Sequence, residues 1–221
     1  VLRRARTLVL DARNLQRDIE LVRLGDAGEI VFGAAPIPAA VIVPELLCQL
    51  RQQNPGLVTR VHLGNLPTLL AQLDAQQIDF CLGDPRLVPP QARYERVPLG
   101  KQVAALYARG DHPLADAAQV DAVAMRRFGV ATITISPALL EGVAVLYGFE
   151  NAADFPLAVE CDDLGTLVHL ATRTDVLALV PCAVGDAHPL ALCRLLTVTT
   201  LAPVADVHAI WLGGRTLSPS A

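Results

Sequence analysis

Residues 28–83, GEIVFGAAPIPAAVIVPELLCQLRQQNPGLVTRVHLGNLPTLLAQLDAQQIDFCLG, decide the fold. Glu29–Ala34 is a short β-branched and aromatic run, the composition of a strand. The stretch 39–53 after Pro36 and Pro38 reads as a helix, closed by the breaker pair Pro55-Gly56. A second strand (LVTRVHL, 57–63), a second helix (NLPTLLAQLDAQQ, 65–77) and a third strand (IDFCLG, 78–83) follow at short spacing. Strands alternating with helices of this length imply parallel pairing, because a parallel crossover needs about a dozen residues. Ligands of such sheets sit beyond the carboxyl ends of the strands. The unit therefore points to a small-molecule site, and its surroundings point to a sensor more than to an enzyme.

Downstream, Asp84-Pro85 and Val88-Pro89-Pro90 break regular structure, and 94–99 and 102–108 read as two strands leading away. A second α/β body follows, with strands expected over 129–133, 156–160, 176–180 and 207–212. Its helices are expected to begin near Val120, Pro137, Leu164 and Cys182. Two α/β bodies joined by crossing strands make a hinged clam with its cleft at the junction. Upstream, Leu2, Ala5, Val9, Ala12 and Ile19 follow 3-4 spacing, and Leu8, Leu15 and Val22 recur every seven residues. Both columns are heptad-like and suit a two-helix contact, so 1–27 reads as a linker and pairing helix.

The 221 residues suit one large or two small domains, and 52% hydrophobic against 18% charged content excludes a disordered chain. No apolar run reaches the roughly 18 residues of a membrane span. The chain opens at Val1 inside a helical pattern without signal-peptide structure, so a longer protein is expected to extend upstream. The net charge of −4 argues against autonomous nucleic-acid binding, because the arginines of the first helix are mixed with Asp11, Asp18 and Glu20. Cys48, Cys81, Cys161, Cys182 and Cys193 are odd in number, widely spaced and free of any C-x-x-C pair. They read as buried small hydrophobes in a reducing cytoplasm rather than as a disulfide framework.

Several features in order carry a family resemblance: Ala5-Arg6 in the first helix, Gly28–Gly33, Pro44 inside a helix, Asn54-Pro55, the Gly64 strand end and Ile78-Asp79. His112-Pro113-Leu114-Ala115 and Leu179-Val180-Pro181 complete the series. Together they resemble the linker helix and effector-binding domain of a LysR-type transcriptional regulator, itself similar to type II periplasmic solute-binding proteins. The resemblance implies an α/β fold of two Rossmann-like subdomains joined by crossing strands and preceded by a long linker helix. It places subdomain I over 28–99, with 213–221 returning to it, and subdomain II over 100–212. One departure is Thr174-Asp175-Val176, where the family often has a Gly-x-Gly turn before the Leu-x-Pro strand.

Three places are candidates for ligand contact. The first is the turn Ala35, Pro36, Ile37 and Pro38, at a helix N-terminus that would offer free N–H groups. The resemblance implies hydroxyl side chains here that hold a carboxylate, but the matching positions are Ala35 and Ile37. Pro36 and Pro38 have no N–H at all, so both kinds of donor are lost; the prolines also simply pre-set a helix start. The second is Thr132, Thr134 and Ser136, expected to alternate along one face of a strand. The resemblance points Thr132 at the effector, while Ser136 also suits an N-cap. The third is Asp162, where the family often places an effector-facing hydroxyl, beside Asp163, a natural N-cap. Both acids also suit plain service of the helix terminus.

No catalytic or metal arrangement is legible. His62, His112, His169, His188 and His208 lie in different elements without ligand spacing, and no G-x-S-x-G or Gly-rich phosphate loop occurs. His112 is expected in an exposed turn, and His169 as structural or surface. The reading is the cytoplasmic, non-enzymatic effector-sensing part of a LysR-type regulator, with no cofactor and no membrane contact. Its partners are a small metabolite, further copies of itself as dimer or tetramer, and DNA through an upstream helix-turn-helix. Helix 39–53 offers Val41, Ile42, Leu46, Leu47 and Leu50, more apolar surface than one core-facing side requires, which suits self-association. A periplasmic-type solute-binding protein for uptake is the alternative, and an enzyme on the same scaffold the third. Effector identity, target genes and the sign of regulation are not legible.

Overall fold

A computed structural model describes residues 28–90, 93–199 and 201–213. The expected linker helix over 1–27 and the return of 213–221 lie outside the described residues, apart from Gly213. Strand β1 (Glu29–Ala34) pairs in parallel with β2 (Val58–Leu63) on one side and β3 (Phe80–Gly83) on the other. The expected parallel unit is therefore present.

The helix expected over 39–53 is two helices, α1 (Pro36–Val41) and α2 (Val43–Gln53). The break at Ile42 follows from Pro44, which has no N–H to continue the first helix and instead opens the second. Helix α3 (Leu66–Asp74) is capped by Asn65, whose side chain accepts the Thr68 N–H at 3.0 Å. Its Leu66, Leu69, Leu70 and Leu73, spaced by threes and fours, are buried against Ile78, Cys81 and Ile210. Each such leucine contributes about 1.5–3 kcal/mol by leaving water. Val43 of α2 buries against Ile30, Phe32, Ala34 and Leu82 on the opposite face.

The two strands expected over 94–99 and 102–108 are one strand, β4 (Tyr94–Arg109). A bulge between Pro98 and Gly100 marks the expected gap, with Gly100 at φ +146°, and pairing resumes beyond it. Tyr94–Val103 pair antiparallel with β9 (Val204–Leu212), which begins three residues earlier than expected and, instead of belonging to the second body, joins β3 of the first. From Ala104 onward β4 changes neighbour and pairs with β7 (Leu177–Pro181) and with β8 (Leu192–Arg194), a strand not anticipated.

In the second body β5 (Val130–Thr132) lies parallel between β6 (Leu157–Glu160) and β7. The sheet order is β2-β1-β3-β9-β4-β7-β5-β6, with β8 on β4. Thus β4 and β9 are the crossing strands, and two α/β bodies meet along them. Helices α4 (Ala122–Phe128), α5 (Pro137–Leu146), α6 (Leu164–Arg173) and α7 (Cys182–Gly185) start close to where they were expected. Two glycines are required by space. A Cβ on Gly185 would collide with the Tyr107 ring, whose hydroxyl donates to Asp186 at 2.5 Å. Gly129 holds φ +75° and would place a Cβ 2.7 Å from Ala158.

Two expectations about single residues fail. Cys48 is exposed rather than a core position, because it lies on the outer side of α2; Cys81 alone among the five is fully buried. His112 is buried, not in an exposed turn. Its Nδ1 accepts the Leu114 N–H at 3.0 Å, and Nε2 faces the Asp175 carbonyl at 3.0 Å. The turn that replaces Gly-x-Gly closes on side chains instead: Thr174 Oγ1 donates to the Leu170 carbonyl and accepts the Val176 N–H. His169 is exposed, as a surface reading allows.

Candidate functional site

A cavity of about 560 Å³ lies where the two bodies meet, within the size range of ligand pockets. Its walls come from both bodies and both crossing strands. All eight residues singled out in the sequence, Ala35, Pro36, Ile37, Pro38, Thr132, Thr134, Ser136 and Asp162, line it. A second space of about 390 Å³ lies behind α1 and the start of α6, between Leu63-Gly64 and Asp162-Asp163.

The first wall is the turn after β1. Ala35 is the N-cap of α1 in extended conformation, without a side-chain cap, and its own N–H is bound to the Leu82 carbonyl at 2.9 Å. Ala39 donates back to the Ala35 carbonyl, so with prolines at 36 and 38 the turn retains only the Ile37 N–H as a donor for a ligand. This wall is accordingly apolar.

The second wall departs from its sequence reading. Strand β5 ends at Thr132, so Thr134 and Ser136 do not alternate along a strand but follow in the connection to α5. Thr132 is buried, with 2% exposure, and its hydroxyl donates to the Leu179 carbonyl at 3.1 Å. It faces the cavity with its proton already committed. Ser136 sits at the N-cap position of α5 but makes no capping bond. Its Oγ is buried and finds no partner among the described residues, an arrangement that costs about 1–3 kcal/mol when left unmet.

Asp162 and Asp163 divide their work. Asp163 caps α6, accepting the Gly165 and Thr166 N–H groups, and the Thr166 hydroxyl and these amides hold its carboxyl below the ordinary range. Asp162 does not serve that helix terminus. Its Oδ1 accepts the Thr134 N–H at 3.0 Å, which pins the β5–α5 connection to the end of β6.

Three parts of the lining lie outside those eight residues. Asp84 and Arg86 enter from the turn after β3, and Asp206 from β9. Among the described residues Arg86 is the only cation on the wall. It is held by Asp84, whose hydrogen bond raises the guanidinium pKa further, burial opposing and Asp206 adding. The third part is a face of α5, with Ala138, Leu139, Gly142, Val143 and Leu146 turned to the cavity. The only sequence signal for that face was a helix, PALLEGVAVL, too uniformly apolar for one buried side. Among the described residues no group of His, Cys, Asp or Glu is placed to hold a metal ion.

A mixed sheet in two bodies, crossed by two strands and enclosing a cavity at the crossing, defines a clam-like small-molecule-binding module. Residues 23–221 match the family described as the LysR substrate binding domain, and the chain belongs to that family. It is thus the effector-binding region of a LysR-type transcriptional regulator. It is 28% identical over 232 residues to the SDS degradation transcriptional activation protein of a Pseudomonas species, covering 100% of this chain and 72% of that one. In fold it is similar to a full-length OxyR variant from Pseudomonas aeruginosa, with TM-score 0.71 and 18% identity over 98% of this chain and 74% of that one. It is also similar to the effector-binding domain of QuiR in complex with shikimate, with TM-score 0.69 and 16% identity over 87% and 91% of the two chains.

Proposed function

We propose that the interbody cavity binds a small-molecule effector and that its occupancy biases closure of the two bodies and the pairing of subunits. The observation that carries this reading is the cavity itself, walled by both bodies and both crossing strands. A ligand touching both bodies favours the closed arrangement by its difference in affinity for the two states. The solved QuiR domain, a structural neighbour, is in complex with shikimate, which supports a ligand-sensing role. We place the division of the subdomains near residue 100, where β4 exchanges β9 for β7 at Ala104, and count β9, which pairs with β3, with the first body.

The protein acts in the cytoplasm and is not an enzyme in this reading. DNA contact belongs to a helix-turn-helix upstream of Val1, and self-association draws on α2 and the neighbouring edge. Val58 and Leu63 on the edge strand β2 are 51% and 72% exposed, which suits a contact between copies. Among the described residues no helix is long and apolar enough to cross a membrane.

Thermal shift of the 221-residue chain against a metabolite panel tests the reading. A ligand should raise Tm in a concentration-dependent way. Ile37→Trp, which fills the cavity from the β1 side, should abolish the rise. A panel without any response, or a response unchanged in Ile37→Trp, overturns it. Sedimentation that finds only monomer at tens of micromolar (roughly where weak interfaces populate) removes the self-association part.

A further inference from the structure

The cavity has walls of different chemistry. Asp84, Asp162 and Asp206 line it: Asp84 holds Arg86, Asp206 lies 3.9 Å from the Lys101 Nζ, and Asp162 accepts the Thr134 N–H. Another wall is α5, where Ala138, Leu139, Gly142, Val143 and Leu146 present nothing polar. From Ala138 to Leu146 the helix advances about 12 Å at 1.5 Å per residue. A Cβ placed on Gly142 would meet no atom within 4 Å, and Ala138 and Gly142 are exposed, so α5 presents an open face to the cavity rather than a packed one. Ser136, at the N-cap position of α5, adds a buried Oγ that finds no partner among the described residues.

We infer that the effector is an amphiphile: an extended apolar chain lies along α5, and a hydrogen-bond-donating, non-anionic head sits at the cleft beside Ser136 and Asp162. This deepens the sensing reading and rests on it. A hydroxyl or ammonium head donates to Asp162 and Ser136 Oγ. A carboxylate or sulfate head meets the Asp162 carboxylate and finds only the Ile37 N–H on the β1 turn. The apolar end supplies affinity through area removed from water. Each methylene buried on the α5 face is worth up to about 0.8 kcal/mol, or roughly fourfold in Kd.

Calorimetry of the 221-residue chain with butanol, hexanol and octanol, each compared with the matching amine and carboxylate, tests this. Affinity should rise by up to about fourfold per methylene that the α5 face covers. Alcohols and amines should bind at least about tenfold tighter than carboxylates of equal length. Gly142→Leu, which fills the open space with a better helix former, should remove the length dependence while butanol binding persists. Gly142→Ala should do the same in part, and circular dichroism reports whether either variant folds. Ser136→Ala should weaken all alcohols several-fold, and Asp162→Asn should narrow the gap to carboxylates. Length-independent binding, a preference for carboxylates, or an unaltered series in Gly142→Leu overturns the inference. If short dicarboxylates bind instead and Ile37→Trp blocks them, the amphiphile class falls while the sensing reading stands. If no probe and no metabolite binds at all, both fall.

Discussion

The Arg86 guanidinium is clasped by the Asp84 carboxylate, with Nε 2.9 and 3.0 Å from its two oxygens, and Nη2 reaches across to the Val204 carbonyl at 2.9 Å. The pair ties the exit of β3 to the entry of β9, one of the two crossing strands. It also neutralises the cation on the cavity wall, so this side chain is not available as a ready anion partner.

Asp84→Asn releases the guanidinium while keeping a side chain able to accept the Arg86 N–H. The Arg86 side chain is 44% exposed, so the loss of stability should stay within about 1 kcal/mol. Affinity for carboxylate ligands should rise about fivefold and that for alcohols should not change, as calorimetry would show. An unchanged preference would mean that Asp162 and Asp206 set it without Asp84.

His112 locks two turns together. Because Nδ1 accepts from Leu114, the proton resides on Nε2 and is donated to the Asp175 carbonyl; the ring also stacks edge-on against Phe128 at 4.6 Å. His112→Ala strands both backbone groups and opens a void, a loss of about 3 kcal/mol. For a chain of this size Tm should fall by roughly 6–12 °C. A shift within about 2 °C would show that the turn closes without the ring.

Thiol chemistry separates by burial. Burial pushes the Cys81 pKa up to about 12, so its reactive thiolate is absent at neutral pH, whereas Cys48 is exposed on α2. Iodoacetamide at about pH 8, near the ordinary thiol range, should alkylate Cys48 first and Cys81 only on unfolding, read by peptide mass spectrometry. Cys48→Ser should remove the fastest phase. Early modification of Cys81 would place it outside the core.

The Asp163 cap gives a pH dependence of known sign. Its folded pKa is depressed by the Thr166 hydroxyl and the Thr166 and Gly165 amides, so its contribution is present above the ordinary carboxylate range. That contribution is lost as pH falls through the lower folded value. Asp163→Ala should cost about 1 kcal/mol near neutrality, as lost N-caps do. The difference from the unaltered chain should shrink in urea melts carried into acid. A difference constant with pH would assign the effect to packing rather than to the charged cap.

The β-α-β-α-β order and the two bodies were legible in the sequence because strand and helix periodicity and turn residues are local signals; the family entered as a resemblance in the order of its motifs. Ala35, Pro36, Ile37 and Pro38 stood out because they follow a strand and open a helix, Thr132 and Asp162 through the family resemblance, and Thr134 and Ser136 through a strand alternation that the structure does not keep. Tertiary structure alone brought them to one cavity and decided what each does there. The Thr132 proton goes to Leu179, 47 residues away, and Asp162 turns to Thr134 rather than to the helix it precedes. Arg86 closes on its near neighbour Asp84, but its grip on Val204 spans 118 residues. Burial of His112, exposure of Cys48 and the open face beside Gly142 likewise depend on which element packs above them. Periodicity reports that a helix has an apolar side; only the packed fold determines whether that side meets a core or an empty space.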